Sequence, residues 1–475
     1  MRKIKKVFNN DIILDIIRLA WPIILANILQ AAYQLTDSFW VGRLGQEAVA
    51  AVAISGPVIF LTTSLGIGFA VAGSILVAQY FGAKNKEMVE KSAGQTITMV
   101  AIVSALLGAI GWIISPYILK AMEASPDFYS QALGFLRVAF VGLIFNFSFF
   151  MFQSIMRGIG RPKVPLYIIS GTVILNFLLD PLFIFGLGPI PALGVKGAAL
   201  ATIGTQSIAS LLGLSILFSG KKGIHLKKSD FLPEIKFIKR SFLLGLPSSI
   251  DQSARSLGMA LMTSIVASFG TLAVASYGAG SNIIQVSVII GLGLSAANAT
   301  LVGQNIGAGN KERAEKTAKY SAMMSFFSLS VMGAIVYLSA PYLIAFFVPG
   351  EETLIAEGSI LLRTVSLLFG FMGLQMAFSG VYQASGNTTI SMALTLFSQW
   401  ILQLPLAYLL SKYTNLGMRG IWLAFPITNV VTAFVSWLVF KSGYWKKKEL
   451  INKEKQTETA VTREVMAEEA VPYDY

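Results

Sequence analysis

Residues 66–95 read GIGFAVAGSILVAQYFGAKNKEMVEKSAGQ, and residues 291–320 read GLGLSAANATLVGQNIGAGNKERAEKTAKY. The second segment follows the first by 225 positions, and 14 of the 30 aligned residues are identical. In a chain this apolar, such a duplication predicts two similar membrane half-molecules with a site between them. The repeat also provides an internal comparison, because a polar residue in one half can be set against its counterpart in the other.

The composition indicates that lipid is the solvent of this chain. Of its 475 residues, 55% are hydrophobic and 13% are charged, whereas a soluble chain carries about 25% charged residues. The net charge of +13 lies mostly in short loops between apolar segments, which favours membrane orientation over nucleic-acid binding. There is no cysteine, a single histidine, and no P-loop, HExxH or nucleophile-elbow motif. We therefore expect neither an enzyme nor a bound cofactor.

Twelve apolar segments approach the ~20 residues that a membrane-spanning helix needs. They cover residues 12–38, 48–80, 93–115, 129–157, 165–187, 197–219, 240–268, 272–305, 317–341, 353–383, 390–411 and 418–441. They are too long for transmembrane strands and lack a period of two, so we expect an all-α membrane protein. The segments divide into two pseudo-symmetric bundles of six helices.

Lysine and arginine concentrate in the loops on one side of these segments, most densely in the stretch 220–240. This bias makes that side cytoplasmic, and an even number of spans returns both termini to it, in the plasma membrane. We expect an N-lobe at 1–219, a basic cytoplasmic linker at 220–239, a C-lobe at 240–442 and a polar cytoplasmic tail at 443–475. We also expect no signal peptide and a monomeric protein.

Few acidic residues fall deep inside predicted spans, and those considered are Asp37 in the first helix, Asp180 in the fifth and Asp251 in the seventh. A carboxylate in hydrocarbon is costly, so each should face a cavity or a partner. The aligned halves set Asp37 against Met262, Asp180 against Leu404, Asn176 against Trp400 and Thr202 against Phe425. Because each polar residue has an apolar counterpart, we infer one ion site, in the N-terminal half.

Helix periodicity brings these side chains into pairs. Asn176 and Asp180 share one face of the fifth helix, and Tyr33 and Asp37 share one face of the first helix. Pro181 removes a backbone donor and frees a carbonyl close to Asp180. Two carboxylates, an amide oxygen and a hydroxyl are hard ligands suited to Na⁺, but the same carboxylates could hold a proton instead. The coupling ion is therefore H⁺ or Na⁺.

Simpler interpretations stay open for several of these residues. An intramembrane aspartate can be an inert hydrogen-bonding group between helices, and Asp251 can pair with Arg255 four residues later. Pro22 interrupts the hydrogen bonds of the first helix and could act as a hinge. However, Pro247 occupies the equivalent position in the second half, so the proline could simply shape the fold.

At this point the chain resembles the MATE (multidrug and toxic compound extrusion) family over about residues 10–442. The motifs that carry the likeness are Trp21-Pro22, QLTDSFWVGRLG at 34–45, MRGIGRPKVP at 156–165, GVKGAALAT at 194–202, and the pair QYFGAKN and GQNIGAGN. The placement of Asp37 and of the Asn176/Asp180 pair is similar to the prokaryotic DinF-like branch, and an archaeal member is the nearest likeness. The resemblance implies a V-shaped fold and an antiporter that exports cationic or amphipathic drugs as H⁺ or Na⁺ enters.

We accordingly expect the coupling cation to bind Asp37, Asp180, Asn176 and Thr202, which would also be its metal ligands if it is Na⁺. Tyr33, Asp37 and Met262 are expected to face the substrate cavity, and Pro22 to bend the first helix. The alternative is a flippase of a lipid-linked precursor, which would need a basic cavity, whereas here the basic residues lie almost wholly in loops. A membrane receptor that transports nothing is a third possibility, and the deep carboxylates argue against it.

Overall fold

A computed structural model describes residues 10–189, 191–448 and 450–451, and within these ranges the chain is built from helices. The helices are α1 (Asn10–Gly42), α2 (Gln46–Gly82), α3 (Lys86–Ala121), α4 (Pro126–Gly158), α5 (Lys163–Phe185), α6 (Val195–Ser219), α7 (Ile235–Ala267), α8 (Thr271–Gly307), α9 (Lys311–Phe347), α10 (Glu352–Ser366), α11 (Phe369–Ala384), α12 (Thr388–Leu396), α13 (Leu404–Lys412) and α14 (Met418–Lys441). A π-helical segment, Phe397–Gln403, joins α12 to α13. Most of the predicted tail, residues 452–475, lies outside the described part of the chain.

Ten described spans are long and apolar enough to cross a membrane, and α10 with α11, bent by 49° at their junction, make an eleventh. The count is one short of the twelve expected from the sequence, and the difference is α7. This helix has 33 residues, which is long enough to span, but Asp251, Gln252 and Arg255 interrupt its apolar middle. These polar residues therefore make α7 less apolar than the helices that qualify as spans.

The helices form two lobes that correspond to the two copies of the repeat. A large apolar core in the N-terminal half is built around Leu76, Phe147 and Phe152. In the C-terminal half one core contains Phe369 and Trp422, and a second contains Tyr382. The lobes meet where α2 packs against α7 and where α1 packs against α8. Each contact is thus the counterpart of the other under the internal repeat.

Glycines bring the lobes together at equivalent positions. A Cβ atom on Gly82 of α2 would overlap the carbonyl of Gln304 on α8, and a Cβ on Gly307 would overlap the carbonyl of Gln79. The two helices can therefore cross this closely only with glycine at these positions. Gly82 and Gly307 are themselves a repeat pair, so the crossing lies on the pseudo-twofold axis of the molecule.

The same crossing carries reciprocal hydrogen bonds between the lobes. The side-chain amide of Gln79 donates to the carbonyl of Ala384 at 2.8 Å, and that of Gln304 donates to the carbonyl of Gly158 at 2.9 Å. In the described part of the chain, the hydrogen bonds between lobes begin at the Ser64–Ser256 pair and continue toward the basic loops. The lobes are therefore closed at the basic end, and the cleft opens on the opposite side.

Alanine at Gly82 or Gly307 is expected to push the ends of α2 and α8 apart and to favour opening at the basic end. The chain lacks cysteine, so spin labels on Lys84→Cys and Ala308→Cys would report the distance directly. We expect a longer or broader distance distribution in both variants. Gly56→Ala on α2 and Gly278→Ala on α8 are matched controls, because a Cβ at either position would touch nothing. Unchanged distances in all four variants would contradict this role for the crossing.

Candidate functional site

A polar cluster lies inside the N-terminal lobe, where α1, α5 and α6 meet. The tight packing of α5 on both neighbours brings Asp180 and Asn176 toward Asp37 of α1 and Thr202 of α6. Asn176 and Asp180 have no solvent exposure, and Tyr33 is 5% exposed. The five polar residues that sequence comparison singled out in this lobe therefore lie together.

Two hydrogen bonds tie the carboxylates to neighbouring side chains. The Thr202 hydroxyl donates to Asp37 Oδ2 at 3.1 Å, and Asn176 Nδ2 donates to Asp180 Oδ1 at 3.1 Å. The two carboxyl groups also lie within hydrogen-bonding reach of each other, and Asn176 reaches Asp37 as well. The Tyr33 hydroxyl donates to the carbonyl of Thr202 at 3.3 Å, which connects α1 to α6 a second time.

Three oxygens of this cluster have no partner. Asp37 Oδ1, Asn176 Oδ1 and Asp180 Oδ2 are buried and accept no hydrogen bond. Among the described residues, no lysine or arginine pairs with either carboxylate. Buried acceptors without donors are costly, and two adjacent negative charges without a counter-charge are more so. The cluster is therefore complete only when a cation or a proton joins it.

The geometry of α1 directs these groups away from lipid. Ile28 and Leu35 belong to a stripe of exposed apolar residues along this helix. Asp37 follows Ile28 by nine positions, which turns its side chain about 180° from that stripe. Both carboxylates consequently lie inside the lobe, out of contact with acyl chains.

A small cavity of about 20 Å³ adjoins the cluster. It is lined by Gln30, Tyr33, Asn146, Phe149, Phe150, Ile169, Thr172, Gln206 and Ala209. Tyr33 belongs to both the cavity and the polar cluster. The lining combines aromatic rings with uncharged polar groups, and in this arrangement the cavity has room for about one water molecule.

The structure does not bring every predicted residue to this place. Met262 is 3% exposed and packs in the core of the C-terminal lobe with Val266, apart from the N-lobe cavity. Pro22 lies inside α1, which runs unbroken from Asn10 to Gly42. Its position fifteen residues before Asp37 puts it in the half of α1 nearer the basic loops, because Asp37 is near the opposite end.

Sequence comparison missed Thr205. Its hydroxyl is fully buried and forms a very short hydrogen bond with the Tyr33 hydroxyl. The repeat places Thr428 at the equivalent position of the other half, so a comparison that kept only asymmetric residues passed over it. Its spacing of three residues from Thr202 on α6 was the available clue.

The acidic residue of the C-terminal lobe is in a different situation. Asp251 accepts a hydrogen bond from Arg255 Nε at 3.0 Å, and Ser391 donates to its other oxygen at 3.0 Å. Its charge is paired and both oxygens have donors. The expected intrahelical ion pair is present. Asp251 therefore has a basic partner, whereas the N-lobe carboxylates have none among the described residues.

Replacing Asp180 by Asn should remove the linkage between cation binding and stability. A ligand that binds only the folded protein adds about 2.7 kcal/mol at one hundred times its Kd. We expect Na⁺ at fixed pH, or acid at fixed Na⁺, to raise the thermal unfolding midpoint of the unmodified protein and not that of Asp180→Asn. Asp127→Asn, at an exposed position in the first turn of α4, should behave like the unmodified protein. Equal stabilisation of all three would disprove the site.

Comparison with known proteins agrees with the duplicated architecture. The family model described as MatE matches the chain twice, over residues 22–182 and 247–409. The two matches start at Pro22 and Pro247, which are separated by the same 225 positions as the repeat. Each match covers the greater part of one lobe, so both halves descend from one six-helix unit.

Relatives and solved structures extend the likeness over nearly the whole chain. "Probable multidrug resistance protein YoeA" of Bacillus subtilis is 30% identical over 90% of this chain and 93% of its own length. "Probable multidrug resistance protein NorM" of Thermotoga maritima is 26% identical over 94% and 95%. A crystal structure of MATE in complex with MaL6 superposes with a TM-score of 0.85 at 28% identity, covering 91% of this chain and 97% of that one. The chain belongs to the MatE family of multi-pass membrane transporters.

Proposed function

We propose that the protein is a secondary active multidrug exporter that exchanges cationic or amphipathic compounds for H⁺ or Na⁺. One observation carries this proposal: in a single lobe, two carboxylates with buried, unpartnered oxygens lie together without a counter-charge among the described residues. The names of the relatives support multidrug efflux, because several are called multidrug resistance proteins. No catalytic step is required of such a site.

Coupling arises if the cation and the drug act on the same conformational equilibrium of the helices. In the described arrangement the cleft is open away from the basic loops, so a compound could leave on that side. Cation binding at Asp37 and Asp180 would neutralise the pair and change the packing of α1, which also forms a wall of the cavity through Tyr33. Exchange requires that the cation and the drug stabilise opposite arrangements of these helices.

Bending of α1 at Pro22 is the proposed response to cation binding. The proline leaves the helix without one hydrogen bond at its position, which lowers the cost of a bend there. Related solved structures are described as MATE in bent and in straight conformations. A bend below the cavity would change the contact of α1 with α5 and α6 without moving the rest of the lobe.

The membrane context supplies further parts of the proposal. The basic linker and loops support a plasma-membrane protein with both termini in the cytoplasm, acting as a monomer surrounded by lipid without nucleic-acid partners. The unpaired carboxylates of the N-terminal lobe support the prokaryotic DinF-like branch, and an archaeal source is proposed on the sequence resemblance alone. A lipid-precursor flippase is less well supported, since the N-lobe cavity has no charged lining residue. One relative is named FAD transporter, so the family is not restricted to drugs.

Counterflow in proteoliposomes tests the exchange. We expect an imposed pH gradient or an imposed sodium gradient, with the other clamped, to drive uptake of the cationic dye rhodamine 123. Asp180→Asn should reduce this flux at least tenfold, because it removes the charge that the coupling ion neutralises, while Asp127→Asn should not. Dye movement that ignores both gradients, or that survives Asp180→Asn, would refute cation-coupled export at this site.

The internal repeat offers a matched control for the hinge. Pro22→Ala restores a backbone donor in α1, and Pro247→Ala makes the same change in α7, which carries no unpaired carboxylate. We expect Pro22→Ala to slow gradient-driven dye flux about tenfold or more and Pro247→Ala to change it by less than about twofold. Equal effects of the two substitutions would show that the prolines only shape the fold.

A further inference from the structure

The C-terminal lobe carries a cation at the position where the N-terminal lobe carries an amide. Arg255 on α7 is the repeat counterpart of Gln30 on α1, at the same separation as the two family matches. Gln30 lines the cavity beside the carboxylate cluster. The equivalence indicates that Arg255 occupies the corresponding wall of the other lobe.

Arg255 points away from the lipid-facing side of α7. The exposed apolar residues Leu246, Ile250 and Leu257 form one stripe along α7. Arg255 follows Ile250 by five positions, which turns it about 140° from that stripe. The neighbouring Ser256, about 100° away around the helix, hydrogen-bonds Ser64 of the other lobe at 2.8 Å, so Arg255 lies between the face of α7 that meets the N-terminal lobe and the buried Asp251.

The two side chains of the ion pair between Arg255 and Asp251 differ in solvent exposure. The side chain of Asp251 is 3% exposed, whereas that of Arg255 is 38% exposed. Arg255 Nε donates to Asp251, and Nη2 donates to the Thr395 hydroxyl at 2.6 Å. Guanidinium has five N–H donors, so three of them have no acceptor among the described residues. The carboxylate of the pair is enclosed, whereas the guanidinium is partly exposed and keeps free donors.

The backbone beneath Arg255 is held in place from the π-helical segment. Gln399 donates to the carbonyl of Arg255 at 3.3 Å, and Trp400 donates to the carbonyl of Ala254 at 3.3 Å. The Gln399 side chain lies against Gly258, where a Cβ would overlap it. Such π-helical turns are rare and frequently mark functional sites. This segment is the repeat counterpart of the part of α5 that carries Asn176.

We propose that Arg255 binds an acidic oxygen group, a carboxylate or a phosphate, on the transported compound. Planar guanidinium donors match the two oxygens of such groups, and the charge-assisted bonds are stronger than neutral ones. The inference rests on the proposed export function and deepens it. The N-terminal lobe takes positive charge at Asp37 and Asp180, and the C-terminal lobe takes the negative end of the compound, so zwitterionic amphiphiles are preferred cargo.

Rhodamine 110 and rhodamine 123 test this directly, because they share one fluorophore and differ in a free carboxylate against its methyl ester. Fluorescence anisotropy with the purified full chain in neutral detergent gives a Kd for each. We expect the unmodified protein to bind rhodamine 110 more tightly than rhodamine 123. This preference should fall about tenfold in Arg255→Gln, which gives position 255 the same side chain as its repeat counterpart, Gln30. Arg255→Lys should retain part of the preference, since it keeps the charge.

Failure of acid recognition and failure of the proposed export function would give different results. An equal loss of affinity for both dyes in Arg255→Gln, or no change in the ratio, would overturn acid recognition and assign Arg255 to structure. Gradient-driven flux of rhodamine 123 depends on Asp180, so its failure would instead overturn the export function. A preference for rhodamine 110 that disappears as phosphatidylglycerol is added to neutral vesicles would assign the guanidinium to lipid phosphate and also contradict the proposal.

Discussion

Two carboxyl groups lie side by side in an apolar bundle, without a basic neighbour in the described part of the chain, and they impose the main constraint on this protein. Removing a charge from water costs several kcal/mol even after relaxation, and an adjacent like charge adds to that cost. Asn176 and Thr202 each satisfy one carboxylate oxygen and leave another without a donor. The cluster therefore needs a mobile positive particle, and a site that alternately gains and loses such a particle can drive a transport cycle.

Residues that occur in both halves build the scaffold, and residues that occur in only one half form the site. The scaffold residues occur in pairs, as with Gly82 and Gly307 at the helix crossing, and they give the lobes the same fold and a reciprocal contact. The carboxylate cluster occurs once, because apolar side chains replace it in the second half. In the second half, the buried acidic residue instead forms an ion pair with Arg255. A duplicated scaffold thus presents two lobes with different charges to one cleft.

Much of this architecture could be predicted from the repeat. The equivalence of the halves predicted two bundles, and the loss of polar residues in the second copy led to the residues that the structure brings together around Asp37. Three features escaped prediction for physical reasons. Thr205 has a polar counterpart and so carried no asymmetry. The 49° bend after Ser366 occurs without a proline, and the π-helical segment depends on contacts with α7 that local sequence does not reveal.

The central claim is that a single lobe holds the exchangeable charge. Infrared difference spectroscopy of the carboxyl stretch, recorded as the coupling ion is added to purified protein, tests this most directly. The account predicts a spectral change that requires both Asp37 and Asp180, is lost when either becomes Asn, and persists in Asp251→Asn. A change that survives replacement of both N-lobe carboxylates, or that requires Asp251, would contradict it.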